Sequence, residues 1–236
     1  MSRSPAVPVA PGIWRIPTVG ASFVNSYALL DDDGSVTLVD CGLRRAPARI
    51  VRGLAAIGRT PADVTRIVLT HAHPDHAGGA ADLARRTGAP VAAHAADAPY
   101  VAAGRAPEQG DGRTVGRFLV RLTGTRFPAV EVGQPLADGD LLPVAGGLRV
   151  VHTPGHSPGH VSLLHEPTRV LITGDALFNV LGTRWPPALF CADFRMTRRT
   201  AHVLGELDYD VAAFTHGPQL TDRAREHVRA FLRRTR

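Results

Sequence analysis

The run Thr70-His71-Ala72-His73-Pro74-Asp75-His76-Ala77-Gly78-Gly79 places four side chains able to ligate a metal within six residues. Successive side chains of an extended segment point to opposite sides, so His71 and His73 face the same way and can share one ion. Pro74 disfavours helix at His73 and turns the chain. Asp75 and His76 then enter at the start of the next element, displaced from the first pair, and two adjacent ions become reasonable. A helix N-terminus also favours the negative charge of Asp75. The alternative is a surface loop that happens to be rich in histidine.

Three later positions argue against coincidence. A strand-like stretch ending at Val151 leads through a Pro-Gly turn to His156. The stretch Val170-Leu171-Ile172-Thr173 delivers Asp175 beside Gly174, where a carboxylate has room to touch two ions, and Val211–Thr215 ends in His216-Gly217-Pro218. Ligands at strand ends lie where loops gather.

The elements that must position these residues follow from periodicity. Strands are expected at Gly12–Ile16, Ser22–Leu30, Ser35–Val39, Thr65–Leu69, Pro90–His94, Gly147–Thr153, Val161–His165, Val170–Thr173 and Val211–Thr215. Helices are expected at Arg45–Gly58, Gly78–Thr87, Asp97–Gly104, Thr197–Leu207 and Thr221–Arg233. Residues 106–130 show no clear period and read as a surface excursion. Residues 1–11, rich in Pro and Ala, read as a flexible N-terminal tail on a single domain spanning 1–236. Strands and helices in both halves suggest two packed sheets with helices outside.

The His-x-His-x-Asp-His run with its three partners in order resembles the metallo-β-lactamase-fold hydrolase superfamily, from about Gly12 to Pro218, on its glyoxalase II-like and lactonase-like side. The resemblance implies an α+β fold: an αββα sandwich of two mixed sheets flanked by helices, with metals at one edge. It implies that His71, His73 and His156 hold one metal, that Asp75, His76 and His216 hold a second, and that Asp175 bridges them. Asp40, in Val39-Asp40-Cys41-Gly42, matches an aspartate that orients the ligands. His160 either orients a ligand or is an ordinary cap or surface histidine.

Five imidazoles and two carboxylates suit zinc, and also iron or manganese. Two ions roughly 3.5–4 Å apart would lower the pKa of a bridging water toward neutrality and give a hydroxide nucleophile for a carbonyl. Asp75 would orient that hydroxide or take its proton. His94, His152, His165, His202 and His227 read as structural. Cys41 reads as a buried thiol, and Cys191, on the expected rim of the site, as either structural or functional. Residues 176–196 carry more apolar surface than a solvent loop needs. Phe178, Trp185 and Phe190 are therefore either core or a hydrophobic wall of the substrate pocket, with Asn179, Arg184 and Arg195 as weaker candidates for polar contact.

Composition narrows the partners. The chain of 236 residues is 44% hydrophobic and 20% charged, with two cysteines, which leaves no room for a disulfide framework or a thiolate cluster. The net charge is +6, and all 27 basic residues are arginine, scattered through the sequence without a stripe. Nucleic-acid binding is not expected. No run approaches a spanning helix and no signal peptide is evident, so a cytoplasmic enzyme without a membrane span is expected. The short stretch Arg117–Leu122 is a weak candidate for a membrane surface. Only about twenty residues follow His216, and they hold no lysine. Glyoxalase II enzymes bind glutathione through an added C-terminal region, so a glutathione thioester is disfavoured. A small-molecule acyl substrate, thioester or lactone, is the first expectation. An iron-dependent oxygenase or redox protein, or a phosphodiesterase or nuclease, are the alternatives. Oligomeric state stays open, a homodimer being one option.

Overall fold

The structure is a computed structural model that describes residues 4–108 and 124–235. Seven strands form a first sheet in sequence order: β1 (Val7–Ala10), β2 (Ile13–Val19), β3 (Val24–Leu30), β4 (Val36–Val39), β5 (Val64–Val68), β6 (Val91–His94) and β7 (Gln134–Leu136). The pairs from β1 to β4 are antiparallel and those from β4 to β7 parallel. A second sheet has the order β14-β11-β10-β9-β8, from β8 (Leu141–Leu142), β9 (Leu148–His152), β10 (Val161–His165), β11 (Val170–Ile172) and β14 (Val211–Ala213). Only its β11–β14 pair is parallel. A small hairpin joins β12 (Phe178–Asn179) to β13 (Thr183–Arg184).

Alternation along the strands sorts the apolar residues into layers. Ile13, Tyr27, Leu29, Val39 and Val68 point inward and meet Val150, Val161, Leu163 and Ile172 of the second sheet. Ile16, Ala28, Leu38 and Ile67 point the other way, onto Ile50, Leu54 and Leu83. These last come from the helices Pro47–Ala56 and Ala80–Thr87. On the far face of the second sheet, Leu171, Ala212 and Phe214 pack against Leu204, Val228 and Leu232. Val228 and Leu232 lie on the helix Ala224–Arg234. The result is four layers, helix, sheet, sheet, helix, as the alternation requires. Each fully buried Leu, Ile or Val contributes about 1.5–3 kcal/mol.

Cross-sheet hydrogen bonds tie the strand ends where the site lies. The Tyr27 hydroxyl donates to the Phe214 carbonyl at 2.6 Å, and the Asn25 amide donates to the carbonyls of Phe214 at 2.9 Å and Gly217 at 2.8 Å. The Val161 N–H donates to the Thr70 carbonyl at 2.9 Å.

The N-terminal expectation needs correcting. Val7–Ala10 is an edge strand paired with β2, not tail. Pro8 fits there because an edge strand has one side free of the ladder. Periodicity also passes over the short strands β7, β8, β12 and β13. The helix expected from Thr197 begins at Phe194, because the Asp193 carboxylate accepts from the Met196 N–H. Beyond Thr200 it tightens into a 3₁₀ turn, Ala201–Gly205. Most of the irregular excursion, including Arg117–Leu122, lies outside the described residues.

Candidate metal centre

Strand β5 ends at Val68 in the first sheet, and the chain bends at Thr70 and Ala72 before reaching His73, itself extended, and the short helix Pro74–Ala77. His71, His73 and His76 are buried. His156 follows β9, Asp175 follows β11 and His216 follows β14, all from the second sheet, and all three are buried. Donor atoms fall into compact sets whose members lie within 4.8 Å of one another: His71, His73 and His156; Asp75, His76 and His216; and His71, His76 and Asp175. Asp175 lies between the first two. Its Oδ2 is 3.1 Å from His156 Nε2 and 3.4 Å from His216 Nε2, and its Oδ1 is 3.4 Å from His76 Nε2. Asp75 Oδ2 is 3.4 Å from His216 Nε2 and 3.6 Å from His76 Nε2.

Hydrogen bonds behind the rings fix which nitrogen faces inward. Asp40, fully buried, accepts from the His76 Nδ1–H at 2.8 Å. It also accepts from the Thr70 N–H and the Thr70 hydroxyl, each at 2.8 Å. Having donated to Asp40, that hydroxyl accepts from His71 Nδ1 at 3.0 Å. His216 Nδ1 donates to the Phe23 carbonyl at 2.7 Å. Each of these rings therefore turns an Nε2 lone pair toward the others. The buried Nε2 of His71 has no hydrogen-bond partner. An orphaned buried acceptor is costly unless something else occupies it. Inward lone pairs beside two carboxylates are what a divalent cation requires, so the residues fit metal.

The electrostatics agree. Burial lowers the pKa of His71 and His73 well below the ordinary value, with neighbouring imidazoles adding to it. At His156 burial opposes the charge, but Asp175 overrides it and brings the ring up to about 10. His216 is raised in the same way, against burial, by Asp175 and Asp75. Asp175 is held far below the carboxylate range despite burial, through His216, His76 and His156. Without a cation, protons on imidazoles balance the carboxylates.

His160 holds the backbone of Asp175 rather than the side chain of any of the seven donors. Its Nδ1 donates to the Thr153 carbonyl at 3.0 Å, and its Nε2 accepts the Asp175 N–H at 2.7 Å. Gly174 permits this: its φ is +53°, and a Cβ there would sit 2.5 Å from that Nε2. Sequence reasoning passed over Thr215, whose hydroxyl donates to Asp175 Oδ1 at 2.7 Å. It also passed over Asp97. That carboxylate accepts from the Ala72 N–H at 2.8 Å, the Ser157 hydroxyl at 2.6 Å and the Gly159 N–H at 2.6 Å. It pins the His71–His73 segment to the His156 turn. Asp97 is the N-cap of the helix Ala98–Ala103, yet its side chain makes no cap bond.

Of the aromatic candidates, Phe178 and Phe190 line a cavity of about 460 Å³ that opens over His73, Asp75, His156, Asp175 and His216. Trp185 instead packs in the outer core, its ring 5.1 Å from Phe231. Asn179 donates to the Pro218 carbonyl at 2.8 Å and steadies the His216 turn. Neither lines the cavity. Cys41 is a buried thiol, and Cys191 is buried with its sulfur 3.4 Å from His156 Nδ1. His94 and His152 stack on each other, centroids 3.9 Å apart.

The family model described as the metallo-beta-lactamase superfamily matches residues 19–216. The chain belongs to this superfamily. A probable metallo-hydrolase of Bacillus subtilis, YybB, is 29% identical over 84% of this chain and 82% of its own. A hydroxyacylglutathione hydrolase of Acidiphilium cryptum is 29% identical over 71% of this chain and 54% of its own. Among solved structures, a metallo-beta-lactamase family protein from Thermus thermophilus is 27% identical, with a TM-score of 0.71 over 96% of this chain and 80% of that one. The matched region contains all seven clustered donors. This member of the superfamily is a metal-dependent hydrolase. No helix among the described residues is long and apolar enough to cross a membrane.

Proposed function

We propose that the chain hydrolyses small acyl compounds, thioesters or lactones, at a centre of two divalent cations, zinc foremost. His71, His73 and His156 would hold one cation and Asp75, His76 and His216 the other, with Asp175 serving both. The observation that carries this reading is the position of Asp175, whose carboxylate lies within 3.4 Å of nitrogens from both sets. When bound, such cations supply Lewis-acid polarisation of a carbonyl and a water acidic enough to act near pH 7.

The chain's own residues do the rest. Asp40 and Asp97 keep the histidine segments in place, and Thr215 and His160 keep Asp175 in place. Asp75 is a third exposed toward the cavity. Burial works against its charge, but His76 and His216 hold it ionised, ready to orient a water or accept its proton. The hydroxyacylglutathione hydrolase and the probable metallo-hydrolases among the relatives support hydrolytic chemistry.

The test is a panel of thioesters, lactones, phosphodiesters and lactams against metal-quantified protein. Asp175→Ala and His73→Ala should abolish turnover while circular dichroism stays native, and His94→Ala should leave turnover nearly intact. Equal activity in all three variants would refute the assignment. Redox-active iron in the purified protein, with no hydrolysis after zinc loading, would favour an oxygenase instead.

A further inference from the structure

Beyond the seven donors, the cavity over the centre is bounded by Gly124 and by three separate apolar stretches of chain. The β2–β3 turn contributes Val19 and Phe23, the loop after β4 contributes Leu43, and the excursion after Asp175 contributes Phe178, Pro187 and Phe190. All six are apolar. Among the described residues, the ionisable groups on its wall are three of the histidines and the two carboxylates of the centre. More than one residue in nine of the chain is arginine, yet among the described residues no arginine lines this cavity. Phe23 is 57% exposed and Leu43 43% exposed at its mouth. Large apolar side chains left open beside a reaction centre mark a surface that a ligand covers.

We infer that this pocket selects an uncharged, apolar acyl group, gripped between Phe23 and Leu43 on one side and Phe190 on the other, and excludes substrates with a carboxylate on the acyl or carrier side. The inference rests on the hydrolase reading above and names its substrate class. Among the described residues, a carboxylate brought into this pocket would lose its water and meet no cationic side chain outside the centre. A glutathione conjugate, which carries two carboxylates, is thereby disfavoured although one relative bears the name of a hydroxyacylglutathione hydrolase. In the reaction a water oxygen bonds to the acyl carbon, the carbon–sulfur bond breaks, and of the two water protons one goes to sulfur and one to solvent.

Phe178 is less suited to a test, because its ring stacks on His216 with centroids 4.2 Å apart. Phe190 is the cleaner choice, and Phe23, whose ring meets His216 edge-on at 5.8 Å, is read through the octanoyl-to-acetyl ratio, which a general loss at His216 leaves unchanged. With the zinc-loaded full chain and thioesters of one neutral thiol, kcat/KM should climb from acetyl to octanoyl by about fourfold per methylene until the pocket fills, the factor for burying a CH₂. Hexanoyl should exceed adipoyl by roughly tenfold or more, and S-lactoylglutathione should fall behind the neutral thioesters. Phe23→Ala and Phe190→Ala should each lower the octanoyl-to-acetyl ratio. A flat length dependence, a preference for adipoyl, or an unchanged ratio in both variants would overturn the inference. If no thioester or lactone is cleaved, the hydrolase reading fails by itself. Calorimetry then still decides the pocket: octanoate must bind the zinc-loaded chain more tightly than butanoate and suberate, and equal or reversed affinities would sink it.

Discussion

Protons and cations compete for the same nitrogens at this centre. The His156 ring, raised to about 10, carries a proton at neutral pH when no cation is bound, and His216 is shifted the same way. A cation needs the lone pair, so binding must expel the proton. Apparent affinity for zinc should therefore rise with pH through neutrality, by up to about tenfold per unit for each proton released. Calorimetry in buffers of different ionisation enthalpy should count at least one proton released near pH 7. Asp40 offers a second test. It serves His76 directly and His71 through Thr70, at a φ of +60° that asparagine tolerates well. Asp40→Asn should lower zinc affinity about 10–100-fold, read by competition with a chelating dye. The gathering of these seven side chains was legible in sequence because histidine and aspartate beside Pro and Gly at strand ends are uncommon. Thr70, Thr215 and Asp97 were not, because a threonine or an N-terminal aspartate has many ordinary uses.

At the level of elements, the arrangement depends on joining loops that grow from different sheets. Asp97 makes the main polar join, taking three hydrogen bonds from the two loops that present His71, His73 and His156. Asp97→Ala would leave three buried donors without acceptors, each worth about 1–3 kcal/mol. Urea unfolding should show a loss of about 3 kcal/mol or more, and in a stepwise titration the cation proposed at those three histidines should weaken more than the other proposed one. Periodicity gave the long strands and the Pro47–Ala56 helix closely, since their apolar faces are several residues long. It overlooked Val7–Ala10 and the strands of two or three residues, whose pairing is decided by neighbours far away in sequence. The Trp-Pro-Pro excursion was ambiguous for a related reason. One stretch of apolar residues divides between two destinations, Phe178 and Phe190 toward the cavity and Trp185 toward Phe231.

Over the whole molecule, the first sheet supplies His71, His73, Asp75 and His76, and the second supplies His156, Asp175 and His216. Bound cations would stitch the sheets together across their shared edge. Saturation at 100 times the dissociation constant adds about 2.7 kcal/mol of stability. Zinc loading should then raise Tm by about 5–10 °C, and a strong chelator should reverse it, as read by differential scanning fluorimetry. An unchanged melting curve would count against metal at this site. The four-layer order was legible because each strand alternates between two apolar faces. The same split of donors sets an order of events during synthesis. His76 emerges from the ribosome 140 positions ahead of His216. A nascent chain thus exposes a half-formed, histidine-rich claw well before its last finger exists, and full cation capture must wait for nearly complete translation.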